Sequence, residues 1–109
     1  LNTKSNPTIL LKSKAILKIE DIQYIKSDGH YVEYFIDHKD KPEIDRNSLT
    51  AVLNILPNAS FIRIHKSYIV NIYRIKIVNS TKVMLVNGVW INLSRTYKQQ
   101  LKDVLHEGK

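Results

Sequence analysis

Residues Phe61 to Asn71 read FIRIHKSYIVN, and the interpretation of the whole chain turns on them. In extended backbone, Phe61, Arg63 and His65 point to one side and Ile62 and Ile64 to the other. The isoleucine pair anchors the strand inward, leaving a guanidinium and an imidazole on the accessible side. Lys66 and Ser67 follow at the strand end, where backbone amides run out of ladder partners. Arginine offers a fork of donors, lysine a point charge and serine a short donor, a set suited to phosphate oxygens and base edges. A basic edge strand that merely resists aggregation would need only lysine. The run then turns apolar through Tyr68 to Val70, and the Asn71 amide is placed to lock the strand exit.

Outward from this stretch the chain alternates short strands with turn signals. Residues 1–8 (LNTKSNPT) read as a linker, and 9–107 as one domain. Ile9 to Lys12 and Ala15 to Ile19 form a strand pair, Glu20 and Asp21 a helical turn, and Ile22 to Ser27 a strand with Ile22 and Tyr24 on one face. Asp28-Gly29 marks a tight hairpin, with His30 after it. Tyr31 to Asp37 follows with Val32, Tyr34 and Ile36 on one face, then an edge strand at Glu43 to Arg46. Leu49, Val52, Leu53 and Leu56 recur at helical spacing behind a cap at Asn47 or Ser48, and Pro57 ends that helix.

Downstream, Ile75 to Asn79 reads as a strand, and Asn87-Gly88 joins Lys82–Val86 to Val89–Leu93. A type I′ turn there pairs Leu85 with Trp90 and Met84 with Ile91. Both faces of this hairpin are apolar, so covering on both sides is expected, in a layered β arrangement. Ser94 caps a last helix from Arg95 to about His106, buried through Tyr97, Leu101, Val104 and Leu105. Arg95, Lys98 and Lys102 run beside that stripe, and alone they read as an ordinary solvated face. The expected fold is mainly β: about nine or ten short strands in small layered antiparallel sheets, with two helices.

Charge is lopsided. The 109-residue chain carries +7, yet Leu1 to Ala59 is balanced at eight basic and eight acidic residues. Ser60 to Lys109 holds nine basic residues against two acidic, and no carboxylate side chain falls between Asp45 and Asp103. Such one-sidedness points to an anionic partner. With no cysteine, disulfides and thiolate metal sites are excluded, which suits a reducing compartment. No apolar run approaches the ~20 residues of a membrane span. Residue 1 is Leu and no signal layout follows, so a segment of a longer polypeptide is expected.

An enzyme is not expected. His65-Lys66-Ser67 has the His-x-Ser form that some phosphodiesterases use in pairs, but His30 and His38 lack the partner serine. Gly-rich phosphate loops, His-Glu-x-x-His and nucleophile elbows are absent from the sequence. No metal site or cofactor is expected, since the basic half offers almost no carboxylates. The two helices are too far apart for a helix-turn-helix. Docking of an acidic protein partner is the alternative. Single-strand RNA binding would rest on Tyr24, Tyr31, Tyr34 and Tyr68 as stacking platforms, of which Tyr24 and Tyr34 read as inward-facing.

Taken in order, Tyr24-Ile25-Lys26-Ser27, His30-Tyr31, Arg46-Asn47-Ser48-Leu49, Leu56-Pro57, the FIRIHKSYIVN stretch, Asn87-Gly88 and Leu93-Ser94-Arg95-Thr96-Tyr97-Lys98 resemble the LytTR DNA-binding domain, over roughly Ile9 to His106. The resemblance implies a domain that binds duplex DNA through loops entering successive major grooves, often as two copies on a direct repeat. It also implies the output end of a bacterial two-component response regulator, behind a receiver domain, regulating transcription in the cytoplasm. Base-contacting positions of the family match His30, Lys66 and Arg95. Backbone contacts are expected from Arg63, His65, Ser67, Ser94 and Lys98. The position of Lys66 varies within the family, and Asn92 stands where many members carry proline.

Overall fold

The computed structural model describes residues 7–107. Residues 1–6 of the expected linker lie outside them, and Thr8 already pairs in the first strand. Among the described residues, ten strands form three antiparallel sheets. β1 (Thr8–Leu10) and β2 (Ile16–Lys18) make a two-stranded ribbon. β3 (Ile22–Asp28), β4 (Tyr31–Ile36), β5 (Glu43–Arg46), β6 (Phe61–His65) and β7 (Tyr68–Asn71) form the central sheet, ordered β5-β4-β3-β7-β6. β8 (Ile75–Val78), β9 (Lys82–Leu85) and β10 (Trp90–Asn92) form the third. Helix α1 (Leu49–Ile55) lies between β5 and β6, and α2 (Arg95–Glu107) is the last element described. Single 3₁₀ turns occupy Ile19–Asp21 and Ile72–Arg74.

The central sheet separates two cores, and the decisive stretch feeds both. FIRIHKSYIVN folds as the β6–β7 hairpin with Lys66 and Ser67 at its tip. Phe61 and Ile69 enter the core beneath α1 with Ile25, Val32 and Val52. Ile62, Ile64 and Val70 enter the other with Val83, Leu85 and Leu101. The side carrying Phe61 is therefore not simply accessible: Phe61 is buried, and only Arg63 and His65 reach partly to solvent. The Asn71 amide locks the exit as its position suggests, donating to Ile22 O at 2.9 Å and accepting from Tyr73 N at 3.0 Å.

Three local expectations change. Ile22 and Tyr24 do not share a face, because the β3–β4 register shifts between them. Ile22 and Ile25 face the first core, while Tyr24 stacks on Phe35 at 4.3 Å beside the second. The Asn87-Gly88 hairpin is displaced by one residue from its expected pairing: Trp90 opposes Met84, and Ile91 opposes Val83. A type I′ turn needs positive φ at both central residues, and only Gly88 has it, at +91°. The Asn87 side chain instead accepts from Val89 N at 3.1 Å, and Gly88 N closes on Leu85 O at 2.9 Å, giving a three-residue loop with a glycine bulge. Nor is this sheet covered on both sides. Val83, Leu85 and Ile91 are buried, whereas the cross-strand row Ile77–Met84–Trp90 leaves Ile77 42 % and Trp90 47 % exposed.

Polar bonds then fix the layers. Ser48 Oγ caps α1 by accepting from Ala51 N at 3.1 Å, and extended Leu56 before Pro57 ends it. Buried Asp45 accepts from Lys12 N and Ser13 N, both at 3.0 Å, pinning the β1–β2 ribbon to β5. Arg74 meets both Asp37 carboxylate oxygens at 2.7 Å, with Gln23 Nε2 donating to one of them. These Arg74 bonds hold the Asp37 carboxyl below its ordinary range against the opposing effect of burial. Folding thus favours the ionised form. The pair's stabilisation is full above the unfolded aspartate pKa of about 3.9 and is lost as pH falls through the lower folded value. Arg74→Met should lower the urea midpoint near neutrality and flatten its further fall in acid below about pH 4. An acid limb identical to the parent's would remove Asp37 from the pH dependence.

Candidate nucleic-acid interface

The β6–β7 tip is an unusual two-residue turn. His65 pairs with Tyr68 across it, yet neither Lys66 nor Ser67 has the positive φ that the favoured hairpin turns require. The register shifts between Arg63 and His65, so the strand bulges just before the turn. Side chains supply what the backbone does not. Arg63 donates through Nε to His65 O at 3.4 Å, through Nη2 to Lys66 O at 2.6 Å and through Nη1 to Thr50 Oγ1 on α1 at 3.2 Å. His65 Nδ1 accepts from Ser67 N at 3.0 Å, and its ring meets Tyr68 edge-on at 5.5 Å. Lys66 is thereby held exposed at the tip with its ammonium unpaired among the described residues.

Two further tips are tied to this one. The β3–β4 turn consists of Gly29 and His30, with Gly29 at φ +62°, as the first position of a type II′ turn demands. His30 is exposed, and its carbonyl accepts from Asn47 N at 3.2 Å. Beside it, the Arg46 guanidinium lies 5.8 Å from the centre of the half-exposed Tyr31 ring. Ser27 N, near the end of β3, donates to Ser67 O at 2.9 Å and joins the first tip to the second. The third is the start of α2. Ser94 N donates to Ile64 O at 2.8 Å, one residue before His65. Ser94 also caps the helix, its Oγ accepting from Thr96 N at 3.3 Å and its carbonyl from Tyr97 N at 3.0 Å. Arg95 is exposed at that terminus.

The structure therefore links the neighbourhoods of His30, Lys66 and Arg95 through hydrogen bonds between their elements. Ser67, Ser94 and His65 are partly accessible among them. Lys98 lies further along α2, lining with Lys102, Leu93 and Leu101 a cleft of about 270 Å³ beside Val78 to Ser80. Arg63 stands apart from the other expected contacts, since each of its guanidinium nitrogens bonds to protein. The parts played by Thr50 and Asn47 carried no local sequence signal; tertiary packing of α1 brings them to the tips. Among the described residues no cluster of three or more His, Asp or Glu could hold a metal ion.

The LytTr DNA-binding domain family matches this sequence over residues 12–106. The chain belongs to that family. Among curated proteins, the LytTr chain is similar to the sensory transduction protein LytT of Bacillus subtilis (strain 168), 35 % identical over 101 residues. That match covers 87 % of this chain and 41 % of LytT, so the LytTr chain spans well under half of that relative. Among solved structures, it resembles the LytTr DNA-binding domain of a Bacillus cereus protein described as a methyl-accepting/DNA response regulator. The TM-score is 0.76 at 24 % identity, covering 94 % of this chain and 98 % of the other, which establishes a shared fold. LytTr is a DNA-binding domain family.

One consequence of the tip geometry is measurable without DNA. Because His65 Nδ1 accepts from Ser67 N, the neutral ring carries its proton on Nε2, leaving that nitrogen as a donor. Nitrogen-15 chemical shifts of the neutral ring should report the Nε2–H tautomer. A dominant Nδ1–H tautomer would contradict this turn geometry.

Proposed function

We propose that this LytTr domain binds double-stranded DNA sequence-specifically, as the transcriptional output module of a bacterial two-component response regulator. In this reading His30, Lys66 and Arg95 meet base edges in successive major grooves. His65, Ser67, Ser94 and Lys98 hold the phosphate backbone on either side. Two copies sit on a direct repeat, a receiver domain precedes the module in the full-length protein, and the complex works in the cytoplasm. No helix among the described residues is long and apolar enough to cross a membrane.

The observation that carries this reading is the linkage of three exposed tips, Ser27 to Ser67 and Ser94 to Ile64, with Asn47 N holding the His30 turn to the start of α1. Each tip offers a different donor type: an imidazole, an ammonium and a guanidinium. Duplex recognition divides into phosphate contacts that position the protein and base contacts that specify sequence. The basic, acid-poor second half supplies the first, and the tip side chains supply the second. Arginine at a helix start suits the O6 and N7 acceptors of guanine, which a fork of donors reads in pairs.

Selection from a random-sequence duplex pool should yield a defined repeat, with binding that weakens by about 0.9 log units per phosphate contact for each tenfold rise in salt. Arg95→Ala should cost about 1–3 kcal/mol on the selected duplex and relax base choice at one position. Lys66→Ala should do the same at a neighbouring position. Binding that is absent, independent of salt, or equal on selected and scrambled duplexes would reject the proposal.

A further inference from the structure

We infer that Arg63 is a positioning residue for Lys66, not a phosphate contact. The inference rests on the duplex-binding reading above and assigns Arg63 a different part in it. The Lys66-Ser67 turn lacks the positive φ angles of the hairpin turns whose twist matches their strands, so its shape must be imposed from outside. His65 Nδ1 holds one amide of the turn, and Arg63 is the side chain that holds its carbonyls. Its Nε and Nη2 donate to the carbonyls of His65 and Lys66, the two residues that lead into the turn, and Nη1 donates to Thr50 Oγ1. The 2.6 Å bond to Lys66 O fixes the peptide plane from which the Lys66 side chain departs.

Donor geometry argues against a phosphate role. With Nε, Nη1 and Nη2 each directed at a protein acceptor, swinging the fork to a phosphate would leave two turn carbonyls without this partner. Thr50 completes the arrangement. It sits in the first turn of α1, whose cap segment also holds the His30 turn through Asn47 N. The short helix thus braces two reading tips at once, by backbone at one and through Arg63 at the other. This accounts for an arginine here: only a planar fork reaches three acceptors, and lysine cannot replace it.

The test compares Arg63→Lys and Thr50→Val with the parent on the duplex selected by the parent and on a scrambled duplex of equal length, across a salt series. Positioning predicts that Arg63→Lys loses about tenfold or more on the selected duplex, the scale of losing a charged hydrogen bond. It also predicts nearly unchanged binding to the scrambled duplex and an unchanged salt slope. Thr50→Val, which alters no charge, should lose affinity in the same selective way and add little on top of Arg63→Lys.

Retention of selected-duplex affinity by Arg63→Lys would overturn the inference, since lysine serves well at a phosphate. A scrambled-duplex loss equal to the selected-duplex loss would overturn it too. So would a fall in salt slope of about 0.9 in Arg63→Met, which marks a lost phosphate contact. Amide exchange at Ser67 in the free protein gives a readout that does not depend on DNA. It should quicken in Arg63→Lys and Thr50→Val while exchange at buried Ile25 and Val70 stays slow. If the parent itself shows no duplex preference, the binding reading fails, and the Ser67 exchange rates still decide whether Arg63 braces the turn.

Discussion

Burial of both faces of the β6–β7 hairpin is the constraint on which the rest of the molecule depends. Successive residues of one ribbon serve different cores: Phe61 and Ile69 pack under α1, while Ile62, Ile64 and Val70 pack against the third sheet and α2. A one-residue slip would exchange every one of these positions and place Arg63 in an apolar layer. Register is therefore specified twice, once by each core. The tip of such a hairpin cannot drift, and Lys66 inherits that rigidity.

From this shared ribbon the other exposed tips derive their positions. β3 pairs directly with β7, so the Gly29-His30 turn is aligned with Lys66-Ser67 by the same ladder. α2 starts where Ser94 binds Ile64, on the opposite edge of the ribbon. Preorganisation of this kind matters for recognition because a tip ordered only on binding would subtract its ordering entropy from affinity. Here the ordering is supplied in advance by packing and by side-chain bonds to turn carbonyls.

Much of this was legible in the residues. The alternation in FIRIHKSYIVN gave a strand, the 49-52-53-56 spacing gave α1, and Glu43 to Arg46 emerged as the edge strand β5. What was hidden came from interactions that local pattern does not encode. The bulge near Gln23 puts Ile22 and Tyr24 on opposite faces, and nothing in the IQYIKSD run announces it. Asn87-Gly88 has the composition of a type I′ turn, but the Asn87 side chain bonds Val89 N and the loop lengthens by one residue. The apolar composition of β8 to β10 suggested two covered faces, whereas the row through Met84 and Trp90 is open. For the candidate site, the family resemblance rather than residue type pointed to His30, Lys66 and Arg95, and the packing of α1 decided that Arg63 faces carbonyls.

In the proposed function, three tips linked through one ribbon act as a single DNA-reading edge. Amide shift mapping of the chain titrated with its selected duplex tests it most directly. Concerted perturbation is expected of His30 and Tyr31, of Lys66 and Ser67, and of Arg95 and Thr96, with Ile77, Met84 and Trp90 unaffected. Perturbation confined to a single tip, or centred on the open Ile77–Met84–Trp90 row, would contradict it.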